Sequence, residues 1–522
     1  MNRFNKFRGS LRKTALSVVA VSAVALFSLS AGGPASATSY APISGTGSTW
    51  SQNALDQWRK NVAANYGMTV NYSGVGSSAG RRDYIAGTVD FAVSEIPFQA
   101  NPEDGSTPEV PPRGFAYMPI VAGGTSFMYN LKIGGQQVTN LRLSGEVISK
   151  IFSGSIKKWN DPAIQSDNPG LAMPDKSIVP VVRSDGSGST AQFTLWMSTQ
   201  HSGIWSRGMT SQFPTIDGFK YQSGSSGVSG YVSQDYGEGA ITYVEYSYAV
   251  QSGFPVVKVL NNAGYYIEPT ASSVAVALLQ AGINSDLTQN LNGVYNNADP
   301  RTYPLSSYSY MIVPTETGGV FTAEKGATLG AFGQYMLCEG QQQAEALGYS
   351  PLPMNLVMAG FDQIKRIPGA SGVSVDLNSC NNPTFKPGDS PSSNALAATA
   401  PQPAECDKQG ADQCTTGTGG ASQETAISGS GAGGSSAGAG SSAAAAGKNG
   451  TKAGATGVNG AVGSASPFFL DEEPWGGRQS MMLAAGGLLL TAVALPPYLI
   501  RRKSFAENAK PLNESTSSEN KP

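Results

Sequence analysis

The chain has 522 residues, only 13% of them charged, and 34 basic against 36 acidic side chains leave a net charge of −2. The near-neutral charge and the lack of a basic run with interleaved aromatic residues argue against nucleic acid as a partner. The chain has a single histidine, His201, so zinc sites that need two histidines are excluded. His201 lies in a polar stretch, which disfavours a role in a catalytic triad. The 64 glycines indicate a folded part joined to a low-complexity part.

The first 37 residues have the order of a secretory signal peptide. Basic residues from Arg3 to Lys13 precede an apolar run over 15–29, and small residues follow at 35–37. We therefore predict export, with cleavage after Ala37. Because no cysteine lies near this point, a lipid anchor at the new N-terminus is excluded.

Residues 38–387 are predicted to form the folded domain, which is long enough for two lobes. Helical and strand patterns alternate along it, and this alternation predicts α/β layers with a mixed sheet flanked by helices. The predicted helices cover 50–64, 78–86, 145–152 and 189–197, and the predicted strands cover 70–72, 89–93 and 178–182.

Three glycine- and hydroxyl-rich segments precede predicted helices, at 45–50, 74–78 and 183–190. A helix N-terminus offers free backbone N–H groups and a positive dipole end, so it favours an anion. One such segment alone is more often a simple turn or cap. Three together, with Arg183 as a two-pronged donor and Asp185 to orient it, predict a site for a tetrahedral oxyanion. Neither a Walker A nor a GxGxxG sequence is present, so nucleotides are not indicated.

The chain resembles the phosphate-binding protein (PstS) family of the phosphate ABC importer. The similarity rests on 45–50, 73–80, 87–95 and 183–190, with further agreement at 151–162 and 239–246, and covers roughly 42–367. It implies a two-lobed periplasmic-binding-protein-like fold of type II with a ligand cleft between the lobes. Lobe one is expected at about 38–123 and 256–387, and lobe two at about 124–255.

By position, the resemblance implies phosphate-binding roles for nine residues. They are Thr49, Trp50, Ser77, Glu95, Arg183, Asp185, Ser187, Gly188 and Ser189. The first helix would donate through Thr49 and Trp50, the second through Ser77, and the third through Ser187 to Ser189. Arg183 would grip the anion, oriented by Asp185.

Three of these positions depart from the family pattern. Trp50 replaces a common Phe and Ser189 a common Thr, and both keep the main-chain N–H. Glu95 replaces an Asp that accepts the proton of phosphate and repels sulfate, which has no proton to offer. The extra methylene requires the cleft to widen or Glu95 to fold back, and it leaves the affinity and the selectivity open.

The C-terminal part is predicted to be a membrane tether. Residues 388–480 are rich in glycine, alanine and serine, a composition that cannot bury enough apolar surface to fold. Residues 481–500 carry no charge and can span a bilayer as a transmembrane helix. Arg501-Arg502-Lys503 begin a cytoplasmic tail over 501–522. We therefore expect a single-pass protein of the cell membrane with its domain outside.

The four cysteines form no CxxC pair, and an exported protein favours two disulfides. Three pairings are open, of which we favour Cys338–Cys380 and Cys406–Cys414, because the second pair closes a short loop.

The expected function is a phosphate receptor that closes its lobes and delivers phosphate to ABC permease subunits, without enzymatic activity or cofactor. Two alternatives stay open at this point. One is the binding of another oxyanion or a phosphorylated compound, and the other is a surface sensing or adhesion protein on the same fold.

Overall fold

The computed structural model describes residues 40–102, 105–373 and 376–427. The predicted signal peptide at 1–37, the membrane helix at 481–500, the tail at 501–522 and the tether beyond residue 427 lie outside the described residues. Within those three ranges, no helix is both long and apolar enough to cross a bilayer.

Helices and strands alternate through the domain, as the sequence predicts. The helices are α1 Gln52–Tyr66, α2 Ser77–Ile85, α3 Gly145–Phe152, α4 Pro162–Asp167, α5 Gly188–Gln200, α6 Gly224–Val232, α7 Tyr246–Ser252, α8 Ala271–Leu278, α9 Asn292–Tyr295, α10 Ala323–Leu337, α11 Met354–Ile364 and α12 Ala395–Thr399. The strands are β1 Ile43–Gly47, β2 Val70–Gly74, β3 Phe91–Ser94, β4 Phe115–Tyr129, β5 Lys132–Ile133, β6 Gln136–Gln137, β7 Arg142–Leu143, β8 Val179–Arg183, β9 Lys220–Gln222, β10 Ala240–Glu245, β11 Lys258–Leu260, β12 Tyr266–Ile267, β13 Gly282–Ile283, β14 Gln289–Asn290 and β15 Ser306–Pro314.

Each predicted element in this list is found within a few residues of its predicted bounds, and α3 has the predicted bounds. The pattern that predicted α1 is its buried face, formed by Ala54, Leu55, Trp58 and Val62. The helix ends at Gly67, whose left-handed backbone (φ 67°) closes the last turn.

The main sheet is mixed and joins both lobes. Its eight strands follow the order β2-β1-β3-β15-β4-β10-β8-β9. β4 is 15 residues long, and it pairs antiparallel with β15 on one side and with β10 on the other. β4 therefore carries the chain out of one lobe into the other, and β15 returns beside it.

Two hydrophobic cores define the lobes. The first contains buried residues between 43 and 122 and between 308 and 385. The second contains residues between 127 and 305, including Val257, Ile267, Val294 and Leu305. The expected division placed everything after 255 in lobe one. Residues 257–305 pack largely with the second core instead, because β11 pairs with β7 and β12 of that lobe.

Residues 376–427 run over both lobes, and we call this segment the strap. From residue 388 onward, the composition of this segment predicts a flexible tether. That boundary was wrong, because Asn140, Thr139 and Arg142 of lobe two form hydrogen bonds with residues between 406 and 425. Both favoured disulfides, Cys338–Cys380 and Cys406–Cys414, are confirmed.

Candidate functional site

Three helix N-termini meet between the lobes, as predicted. α1 and α2 approach from lobe one, and α5 approaches from lobe two. The backbone N–H of Gly188, at the start of α5, donates to Ser77 Oγ at the start of α2 (3.1 Å). Glycine is required at Gly76, since a Cβ there would lie 2.6 Å from Asp185 Oδ2 and its φ is 92°. The two helices can therefore approach each other closely.

Arg183 is almost fully buried and is held in a fork by Asp185. Its Nε donates to Asp185 Oδ1 (2.7 Å), and Nη2 pairs with Asp185 Oδ2. The backbone N–H of Gly224 also donates to Asp185 Oδ1 (2.9 Å). Burial raises the pKa of the Asp185 carboxyl, but hydrogen bonding and the charge of Arg183 outweigh burial and hold this pKa below its ordinary value. The carboxylate form of Asp185 is therefore favoured, and its two hydrogen bonds fix the guanidinium in place.

Glu95 places a buried carboxylate against the N-terminus of α5. It accepts hydrogen bonds from three hydroxyl groups, those of Ser77 (2.7 Å), Ser309 (2.9 Å) and Ser48. A Cβ at Gly188 would lie 2.0 Å from Glu95 Oε2, so only glycine leaves room for this side chain. The extra methylene of glutamate is thus accommodated by extension toward lobe two.

The remaining predicted residues line the same cleft with different contacts. Thr49 Oγ1 lies 2.9 Å from Ser225 Oγ, and Ser187 Oγ accepts from the N–H of Thr190 (3.2 Å). The hydroxyl of Ser189 is buried, and it has no hydrogen-bond partner among the described residues.

Trp50 differs from the expectation of a free donor. Its backbone N–H donates to Ser48 Oγ (2.9 Å), while its indole N–H reaches Thr125 Oγ1 on β4 (3.3 Å). The indole therefore packs at the crossing point of the lobes, beside Tyr349.

Sequence reasoning missed three serines of the site. Ser48 and Ser309 hold Glu95, and Ser225 contacts Thr49 and, at 3.4 Å, Nη1 of Arg183. Ser225 lies in a Gly-Ser-Ser-Gly segment at the start of α6, which is the same signal as the other three segments. Ser309 lies on a distant strand, so no local pattern could place it there.

The lobes are closed on each other in this structure. Besides Gly188 and Ser77, the N–H of Ser78 donates to Gly186 O (3.2 Å). Gln192 Nε2 donates to the carbonyl of Glu95 (2.8 Å). The contacts between the lobes include hydroxyl groups, backbone groups and the amides of Gln192 and Asn53, the latter donating to Ser247 Oγ (2.9 Å).

The charge of the site is one guanidinium against two carboxylates, Glu95 and Asp185. Beside these side chains lie the N-termini of three helices, each of which carries the positive end of its dipole. In the part of the chain that the structure describes, no group of three or more His, Cys, Asp or Glu residues is placed to hold a metal ion.

The chain is similar to known proteins in its sequence and its fold. A family model described as a PBP superfamily domain matches residues 32–339. The phosphate-binding protein PstS of Xylella fastidiosa is 35% identical over 320 residues, which cover 60% of this chain and 82% of that protein. The phosphate-binding protein PstS 2 of Mycobacterium tuberculosis is 31% identical over 317 residues, with 59% and 82% covered. A solved phosphate-binding protein of Stenotrophomonas maltophilia aligns at a TM-score of 0.46 and 17% identity, over 62% of this chain and 93% of that one.

Proposed function

The chain belongs to the PstS family of phosphate-binding proteins, with a PBP superfamily domain, and we propose that it binds inorganic phosphate between its lobes. The observation that carries the proposal is the meeting of three helix N-termini with Arg183 and Glu95 in one buried cleft. This arrangement supports a tetrahedral anion, because donors converge from several directions and glycine permits close approach.

The nine residues predicted from the sequence are the proposed phosphate ligands, and the missed serines support them. Arg183 supplies a fixed charge-assisted donor, and the starts of α1, α2 and α5 supply backbone and hydroxyl donors. We add Ser225 as a residue of lobe two that bonds to Thr49 and Arg183 when the lobes close.

Glu95 is the proposed selectivity residue. An ionised carboxylate next to the anion is favourable only if the anion brings a proton for it to accept. Phosphate near neutral pH carries such a proton and sulfate does not, so sulfate would leave two negative oxygens facing each other. The hydroxyl groups of Ser48, Ser77 and Ser309 fix the carboxylate in the orientation that accepts.

Lobe closure is the proposed mechanism, with delivery to an ABC permease. Opening separates Thr49 and Ser77 from the ligands of lobe two, which releases the anion toward the permease. We expect binding without turnover, since a receptor of this kind changes the position of its ligand and not its bonds.

Export and anchoring complete the proposal. The signal peptide predicted at 1–37 and the membrane span predicted at 481–500 would keep the domain outside a membrane with its C-terminus in the cytoplasm. Two disulfides in the described part agree with an oxidising compartment. Intact mass of the purified protein would give the cleavage point, and protease treatment of whole cells would locate the domain.

The test of phosphate binding is a tryptophan-fluorescence titration of ligand-free protein near neutral pH. The indole of Trp50 bonds to β4 between the lobes, so we expect its emission to change as the cleft closes. We expect a saturable response to phosphate and none to sulfate. A protein that is folded and ligand-free, yet responds to neither ion, would contradict the proposal and favour the sensing or adhesion alternative.

Variants of Glu95 separate selectivity from binding. Glu95→Asp keeps the acceptor, so we expect phosphate binding and sulfate exclusion to persist. Glu95→Gln removes the charge, and we expect sulfate to begin to compete with phosphate. Equal exclusion of sulfate by both variants would show that Glu95 is not the selectivity residue. A response to a phosphorylated compound but not to free phosphate would favour the other alternative.

A further inference from the structure

The strap, residues 376–427, lies beyond the end of the family model's match at residue 339. Its first part is fixed to lobe one. Cys380 is bonded to Cys338, and Phe385 is buried in the first core. Thr384 Oγ1 and Asn382 Nδ2 both donate to the carbonyl of Leu352 (2.8 and 3.0 Å). This part therefore moves with lobe one.

The last part of the strap is fixed to lobe two by a buried arginine, Arg142. Its guanidinium donates to the carbonyl oxygens of Cys406 (3.1 Å), Gly410 (2.9 Å) and Asp412 (2.7 Å). The disulfide Cys406–Cys414 closes this loop around the guanidinium. Each of these carbonyls is directed inward, so the loop and the arginine hold each other.

Further contacts of the same part belong to lobe two. Asn140 Nδ2 donates to Cys414 O (2.7 Å), and Thr139 Oγ1 donates to Gln423 O (2.6 Å). Lys258 Nζ lies 2.8 Å from Asp407 Oδ1, in a pair that is mostly buried. The last part of the strap is thus attached at several independent points.

Between these ends, the strap passes the region where the lobes join. Arg301 Nη1 donates to the carbonyls of Ala397 (3.1 Å) and Ala400 (3.3 Å). Ala397 also packs against Ala275 and Val276 of α8, a helix that contributes to both cores. In the last part of the strap, the N–H of Gly419 donates to Glu268 Oε1 (2.6 Å). Glu268 is followed by Pro269, which packs against Gly124 of β4, where β4 leaves the first core.

We propose that the strap is a third connection between the lobes, which limits how far the cleft opens and thereby slows phosphate release. The other two connections, β4 and β15, are adjacent paired strands and can bend together. A third link, fixed at both ends, adds a restraint that a bend of these strands must overcome. The proposal rests on the proposed function for its ligand, but the restraint on opening can be measured without any ligand.

The physical consequence is a shift in populations. An open cleft has lost its contacts across the lobes, and a restraint on opening lowers the weight of widely open states. Since release of a buried anion requires opening, a narrower range of opening lowers the release rate. The same restraint keeps the ligand-free domain more compact.

The test cuts the strap without removing it. Residues 386–392 are exposed, and a specific protease site inserted after Gly388 separates the two ends of the strap when it is cleaved. Both ends keep their disulfides and side-chain contacts. The matched control carries the same insertion in the exposed turn at Gly134-Gly135, which joins β5 to β6 within lobe two.

The measurements are phosphate release by stopped-flow fluorescence and the radius of gyration of ligand-free protein by small-angle X-ray scattering. We expect cleavage at the strap to speed release by about threefold or more and to increase the ligand-free radius of gyration. We expect cleavage at the control turn to change neither.

Two results are decisive in the opposite direction. Equal release rates and equal radii for the two cleaved proteins would overturn the proposal. If none of the proteins, uncut forms included, bound phosphate, the proposed function would fail. The radii of gyration of the ligand-free proteins would still decide whether the strap restrains opening.

Discussion

The cleft and the strap both connect the two lobes, but their chemistry differs. Across the cleft, the contacts are made by hydroxyl groups such as those of Thr49 and Ser225, by backbone N–H groups and by side-chain amides. Water or an anion can replace such partners at little cost. In the strap, the chain is fixed by two disulfides and by the guanidinium of Arg142, which donates to three of its backbone carbonyls. The contacts across the cleft can therefore be replaced when the lobes open, whereas those of the strap stay formed.

The largest effect should come from the cleft arginine. We expect Arg183→Ala to weaken phosphate binding by about 100-fold or more, because the variant loses a charge-assisted donor and leaves Asp185 unpaired. Isothermal titration calorimetry measures the change. Arg59→Ala, which alters a half-exposed ion pair on α1, is the control and should bind normally. Unchanged affinity in Arg183→Ala would refute its role as a ligand.

Arg142, the arginine of lobe two that holds the strap, should affect stability instead of phosphate binding. Arg142→Ala removes a buried guanidinium that donates to the carbonyls of Cys406, Gly410 and Asp412, and we expect the free energy of unfolding to fall by about 3 to 5 kcal/mol. Urea denaturation followed by circular dichroism measures this, with exposed Arg207→Ala as the control. Hydrogen exchange should increase first at 406–414. If Arg142→Ala lost as much phosphate affinity as Arg183→Ala and kept its stability, Arg142 would act in binding and not in holding the strap.

Glu268 is a buried carboxyl in contact with the strap, and its titration tests whether the strap region affects stability and not phosphate binding. Burial raises the pKa of Glu268 above its ordinary value, against hydrogen bonds from Tyr246 and Gly419 and the charge of Lys258. The folded state therefore holds this proton more tightly than the unfolded state. This contribution to stability is fully present below the unfolded pKa and is lost as pH rises through the folded pKa.

The Glu268→Gln side chain is neutral at every pH, so the variant does not lose this stability as pH rises. We expect the free energy of unfolding of the variant to gain on the parent as pH rises from acid to neutral, by less than the Arg142→Ala effect. Denaturation curves across this pH range measure it. Parallel pH profiles for the two proteins would exclude a raised pKa at Glu268. Phosphate affinity at a fixed pH should change little.

The smallest effect should be that of one hydroxyl across the cleft. Ser225→Ala keeps the backbone donor to Thr49 but loses the Oγ contact, worth about 1 kcal/mol or roughly fivefold in affinity. Ser226→Ala is the matched control, because this serine is the next residue of α6 and is exposed. If both variants bound phosphate equally well, Ser225 would not belong to the closing contacts.

The sequence was informative where local patterns determine the structure. Helix periodicity placed α1 and α3, and a motif of glycine and hydroxyl residues placed the starts of α2 and α5. Such motifs work because the backbone N–H groups of a helix start are available whatever surrounds them. The pairing of Arg183 with Asp185 is also a local feature, because the two residues lie two positions apart.

The strap could not be predicted for a physical reason. Its composition resembles that of a disordered tether, and its stability comes from disulfides and from carbonyls that any residue could supply. The same limit applies to the lobe boundary, because β11 joins lobe two through backbone pairing with distant β7. Ser309 likewise reaches Glu95 only through the antiparallel register of β15 with β3.

The end of the strap has a mechanical consequence. Ile427, the last described residue, packs against Gly170 of lobe two. A pulling force on the chain beyond this point first loads the hydrogen bonds between Thr425 and Thr139, and then the loop gripped by Arg142. The disulfide Cys406–Cys414, with a sequence separation of 8, keeps that loop from being pulled straight. Lobe two as a whole therefore takes the load, and the strands that bend during closure are spared it.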